Sequence, residues 1–113
     1  MPRAATTSDV FNAVAEPRRR EILELLRRGE RPVGAIALGV DADQPAVSKH
    51  LRVLRKVGLV TMRQSGRQRL YRINGSAIKT LHDWTATFER HWRHHLDRVK
   101  RRAERKARPG DRR

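Results

Sequence analysis

The chain of 113 residues contains no cysteine. That absence excludes disulfides, thiolate metal sites and a cysteine nucleophile, and it fits a cytoplasmic setting. Acidic residues are scarce: 12 Asp and Glu stand against 27 Lys and Arg, a formal net charge of +15. So large an excess repels itself within a compact fold, and a polyanionic partner is the usual reason to carry it. Nucleic acid is the first candidate and an anionic membrane surface the second. Long apolar runs are also missing. No stretch approaches the roughly 20 apolar residues of a membrane span, and Met1 to Asp9 holds no apolar run of signal-peptide length. There is no Ser-His-Asp or Cys-His arrangement, no pair of carboxylates in an apolar setting and no phosphate-binding glycine loop. The expectation is an intracellular, single-domain protein that is not an enzyme and needs no cofactor.

What is present is a series of short amphipathic segments. Residues 1–7 read as a flexible N-terminus, and 8–99 as the folded domain. Ser8 is placed to cap a first helix carrying Val10, Phe11 and Val14. Pro17 opens a second, with Ile22, Leu23, Leu25 and Leu26 clustered for burial and Gly29 at its end. Pro32 opens a third, short helix carrying Val33, Ile36, Ala37 and Val40. Asp43 is placed as the N-cap of a fourth, with Pro45 in its first turn. Two strand-like segments, 59–62 and 70–73, flank a turn at Ser65-Gly66-Arg67. Asn74-Gly75 breaks the pattern, and Ser76 caps a last long helix with Ile78, Leu81, Trp84, Phe88, Trp92, Leu96 and Val99 at helical spacing. Residues 100–113, almost all charged, read as a disordered basic tail.

Short helices, a turn, a further helix and a hairpin are the ingredients of a mainly α winged helix-turn-helix. In the fourth helix Val47, Leu51 and Leu54 share one face. Pro45, Lys49, Arg52 and Lys56 then fall opposite, with Gln44 and Ser48 on a flank. A helix in a major groove shows its first turns to base edges. Gln pairs bidentately with adenine, and Lys reaches guanine or phosphate. From Gln44 through His82 there is no acidic residue, while Lys49, Arg52, Arg55, Lys56, Arg63, Arg67, Arg69, Arg72 and Lys79 all lie there. That is the electrostatic footprint of a DNA surface. Arg63, Arg67 and Arg69 around the Gly66 turn are the expected wing contacts. The bland alternative is a solvated basic face, and His50 is as readily a packed histidine as a base contact.

Several strings resemble the ArsR family of bacterial transcriptional regulators. They are Glu16-Pro17-Arg18-Arg19-Arg20-Glu21-Ile22-Leu23, Val33-Gly34-Ala35-Ile36-Ala37, Gln44-Pro45-Ala46-Val47-Ser48-Lys49-His50-Leu51-Arg52-Val53-Leu54 and Gly58-Leu59-Val60. The segment Gly66-Arg67-Gln68-Arg69-Leu70-Tyr71-Arg72-Ile73 is similar as well. The resemblance covers about residues 9–99. It implies a homodimer joined by its first and last helices, repressing transcription from a palindromic operator in double-stranded DNA. By the same resemblance Gln44, Pro45, Ser48 and Lys49 contact bases, while the charge pattern makes Arg52, Lys56, Arg63, Arg67 and Arg69 the expected backbone and wing contacts. Val10, Phe11, Leu81, Trp84, Phe88 and Trp92 are the expected dimer contacts.

Some members of that family sense metals. His91 and His94, with His95 beside them, are the metal candidates, three residues apart on one helix. The third helix carries Ala35-Ile36-Ala37 where the family's cysteine site would stand, and Thr80 stands two before His82 where an acidic residue would be. The stronger expectation is a solvated or interfacial histidine cluster. No effector is legible. A non-specific architectural or RNA-binding protein shares the electrostatics and differs in base selectivity. A membrane-surface protein is disfavoured because no helix pairs a basic face with an apolar face left free.

Overall fold

A computed structural model of the chain describes residues 7–106. The element order is α1 (Thr7–Ala15), α2 (Pro17–Leu26), β1 (Arg31–Pro32), α3 (Val33–Val40), α4 (Gln44–Lys56), β2 (Val60–Ser65), β3 (Gln68–Ile73), α5 (Gly75–Ala86) and α6 (Glu89–Lys106). Prolines and carboxylates set two of the helix starts. The Glu16 carboxylate accepts from the Arg18 amide at 3.0 Å, with Pro17 in the first turn of α2. Asp43 does the same for α4, accepting from the Ala46 amide at 2.8 Å ahead of Pro45. Each carboxylate satisfies one of the orphan donors of a helix N-terminus and favours its positive dipole end. Asp41, in the left-handed region at φ 53°, closes α3 and makes the tight turn into α4.

The sheet has three strands in the order β1-β3-β2, both pairings antiparallel. The hairpin is the wing, and its turn uses Gly66 at φ 61°, which glycine adopts without cost. β1 is not legible in the sequence. It is two residues long, pairs with Tyr71 and Leu70, and contains Pro32, which reads locally as a helix opener.

The chain falls into two compact units, Met1–Leu81 and His82–Arg113. The sequence alone suggests one domain over 8–99. The division arises because no residue of 82–106 is buried in the single chain. The first unit holds the whole core: Val10 and Ala13 of α1, Ile22, Leu23 and Leu26 of α2, Ile36, Ala37 and Val40 of α3, Val47, Leu51 and Leu54 of α4, and Leu59 and Val60. Arginines close its open helix ends. Arg19 Nε donates to the Ala13 carbonyl at 2.6 Å, Arg20 to Val14 at 2.8 Å, and Arg18 to Val40 at 2.5 Å. They satisfy carbonyls at the negative ends of α1 and α3. Asn74, rather than Ser76, caps α5. Its Oδ1 accepts from the Ser76 amide at 3.3 Å and hydroxyl at 2.8 Å, while its Nδ2 donates to the Gly58 carbonyl at 2.8 Å.

The single last helix expected from the sequence is two helices. Thr85 and Thr87 explain the break, because their hydroxyls donate to the carbonyls of His82 (2.9 Å) and Trp84 (2.7 Å). Such back-bonding competes with the helical ladder. Trp84 and Phe88 pack edge to face across it, with ring centroids 5.0 Å apart. α6 then continues through Lys106, so residues 100–106 are helical rather than a disordered tail. Lys, Arg, Ala and Glu all have high helix propensity there. Residues 107–113 lie outside the described residues, as do 1–6 of the expected flexible N-terminus. Among the described residues no helix is long and apolar enough to cross a membrane.

Candidate nucleic-acid interface

α4 is held from behind and open in front. Val47, Leu51 and Leu54 are fully buried, at no more than 1% exposure. Gln44, Pro45, Ser48, Lys49, Arg52 and Lys56 are all exposed, while His50 is half-buried. The four residues expected to meet bases thus stand together on the first two turns. Burying three aliphatic side chains contributes about 1.5–3 kcal/mol each, enough to fix the helix's rotation about its axis. The Gln44 amide nitrogen packs close over Gly34, 3.3 Å from where a β-carbon there would lie. The missing side chain of Gly34 therefore leaves room for this residue.

The wing arginines are not equivalent. Arg63 opposes Leu70 across the hairpin, and Arg69 opposes Gln64. Neighbours along a strand point to opposite faces, so Arg63 and Arg69 lie on opposite faces of the wing. Arg69 and Tyr71 share an open groove with Ser48, Arg52, Arg55 and Lys56 of α4. Arg67 sits in the turn and is exposed. Arg63 is engaged elsewhere. Its guanidinium forks onto the Glu30 carboxylate, with Nε 3.0 Å from both oxygens and Nη2 2.5 Å from Oε1. The Arg63 hydrogen bond holds the Glu30 carboxyl below the usual carboxylate range and raises the guanidinium's own value. In the single chain Arg63, one of the expected backbone contacts, thus braces the wing against the segment before β1. Arg55 and Tyr71 are the groove residues missing from the expected set. Arg55 follows Arg52 by three residues in the same acid-free run, which is the signal available for it.

The expected dimer residues divide as well. Val10 is 5% exposed within the chain's own core and leaves almost no surface for a partner. Phe11 and Leu81 are half-buried, Leu81 against the core. Trp84, Phe88 and Trp92 are 40–58% exposed, and Leu96 and Val99 continue their stripe. In the single chain α6 therefore does pair an exposed apolar stripe with basic residues, contrary to the sequence expectation. His91, His94 and His95 are exposed, and among the described residues no group of three or more potential ligands comes together around a metal position.

Comparison with known proteins agrees with this geometry. Residues 16–62 match the family described as bacterial regulatory protein, arsR family. The chain is 30% identical over 81 residues to the transcriptional repressor SdpR of Bacillus subtilis (strain 168), spanning 72% of this chain and 90% of that one. It is 39% identical over 80 residues to the HTH-type transcriptional regulator NmtR of Mycobacterium tuberculosis (strain ATCC 25618 / H37Rv), spanning 71% and 67%. Among solved structures it resembles the homodimeric winged helix-turn-helix DNA-binding domain Mb0332 of Mycobacterium bovis. The TM-score is 0.61 at 34% identity, covering 72% of this chain and 78% of that one. With a core-anchored α4, a basic wing and these relatives, the chain belongs to the ArsR family of bacterial regulatory proteins and has a winged helix-turn-helix fold.

Proposed function

We propose that the protein is a sequence-specific DNA-binding repressor that works as a homodimer on a palindromic operator. The observation that carries this is the division of α4 into a buried face (Val47, Leu51, Leu54) and an exposed first two turns (Gln44, Pro45, Ser48, Lys49). Gln44, Ser48 and Lys49 read base edges in the major groove. Arg52, Arg55, Lys56, Arg67 and Arg69 hold the phosphates on either side and set the register. The stripe of Trp84, Phe88, Trp92, Leu96 and Val99 is covered by the same stripe of a second copy, an obligate interface resembling a core cut in half. The homodimeric state of the Mycobacterium bovis domain and the repressor role of SdpR support this reading by kinship. A dimer seated on a promoter denies that DNA to polymerase.

Selection of bound sequences from random DNA tests the proposal. The expected product is a palindrome whose half-sites lie about one helical turn apart, roughly 34 Å between recognition helices. The double variant Gln44→Ala, Ser48→Ala is expected to erode the operator-over-random preference about 10- to 100-fold, as a lost base-pair match does. Failure to enrich any sequence, with equal affinity for all duplexes, would mark an architectural protein instead.

A further inference from the structure

We propose that one flank of α6 is a second phosphate-binding surface for duplex DNA, in addition to the base contacts proposed for α4. The charges of α6 are sorted by side. Trp92, Leu96, Val99 and Ala103 follow one another at spacings of four, three and four and form its apolar stripe. Glu89, Arg93, Asp97, Lys100 and Glu104 run along one flank, and every carboxylate of the helix is among them. The Arg93–Glu89 ion pair, at 2.6 Å, lies on that flank. On the other side His91, Arg98, Arg102 and Arg105 are exposed and have no carboxylate three or four residues away, while Arg101 lies at the border, four after Asp97 and three before Glu104.

A helix that merely needs solubility intersperses charges of both signs and gains from i,i+4 pairs. Here the carboxylates lie within pairing distance of Arg93, Lys100 and Arg101, and Arg98, Arg102 and Arg105 are left without one at that spacing on a helix about 27 Å long. The arginines of this side, with Arg101 beside them, each carry a planar fork that meets phosphate oxygens bidentately. The helix contains no Asn or Gln, the side chains suited to reading adenine. Arginine forks onto guanine as well as onto phosphate, and an unchanged operator-over-random ratio is what identifies the contacts here as phosphate contacts. A lipid surface would need the apolar stripe as well as the arginines, and the dimer proposed above already uses that stripe. The proposal rests on the DNA-binding reading but not on the base contacts of α4.

The experiment compares the full-length chain with Arg98, Arg101, Arg102 and Arg105 all changed to Gln. A control loses the same charge elsewhere, through Arg27, Arg28, Arg93 and Lys100 to Gln. A third variant changes the four flank arginines to Lys and shows that the helix tolerates substitution. Affinity for the selected operator and for a random duplex is measured across a salt series. Each phosphate that is no longer neutralised lowers the slope of log affinity against log salt by about 0.9, so the Gln variant is expected to lose about 2 to 4 on both duplexes. The operator-over-random ratio stays unchanged, the Lys variant keeps the slope, and the control shifts it by less than about 1. An unchanged slope, or an equal change in the control, overturns the proposal while leaving the α4 reading intact. So does loss of binding to phosphatidylglycerol vesicles with the DNA slope preserved. Wild-type protein that binds neither duplex overturns the DNA-binding reading itself, and this proposal with it.

Discussion

The two units of this chain solve the problem of apolar surface in opposite ways. In Met1–Leu81 the aliphatic side chains of four helices meet one another, and the core is complete within one copy. In His82–Arg113 the described residues carry two tryptophans, a phenylalanine, a leucine and a valine that remain 40–58% exposed. The first unit is stabilised internally, whereas the helix proposed for assembly keeps its apolar groups exposed. Stability of the first should be insensitive to association, and that of the second should consist of little else.

The largest way to break this contrast is inside the head. Leu54→Ala removes a fully buried side chain from the inward face of α4. It is expected to cost about 2–5 kcal/mol in urea unfolding and to abolish binding to all duplexes alike. Trp92→Ala attacks the other unit. It should weaken association by about 2 kcal/mol, on the order of 30-fold in sedimentation equilibrium, as loss of an interface anchor does. Helical content of the head should persist. An unaltered dimer would remove Trp92 from the interface. Smaller is Asp43→Ala, which deletes the cap of α4 and is expected to cost about 1 kcal/mol of unfolding free energy. Operator affinity should drop with it, because the first turn of α4 carries the proposed base contacts. Smallest is Glu30→Gln. Its carboxyl is held below its ordinary value by Arg63, so the pair stabilises the fold above that ordinary value and is lost as pH falls through the depressed one. The wild type should lose its small advantage over the variant on acidification below the usual carboxylate range. An advantage independent of pH would show that it does not come from the ionised pair.

Local chemistry is readable from the sequence, and distant pairing is not. Asp43 and Pro45 announce the start of α4, Gly66 the hairpin, and Val47, Leu51 and Leu54 the buried face, because each signal lies within a turn or two of its effect. Arg63 cannot be sorted from Arg69 by such signals, since its partner Glu30 lies 33 residues away. Nor can Arg18, Arg19 and Arg20 be recognised as plugs for helix ends rather than as part of a DNA-facing charge. Val10 reads as an interface residue because one apolar side chain on a short helix does not say which neighbour covers it. The break after α5 turns on two threonine hydroxyls bonding backward, a choice that propensity alone leaves open.

Asn74 works as a rivet. Its backbone amide donates to Leu59, its side-chain nitrogen to Gly58, and its side-chain oxygen receives Ser76. The loop leaving α4 and the first turn of α5 are therefore fastened through a single residue. Neither segment shifts without unseating the other, so replacing Asn74 by Leu should loosen both at once.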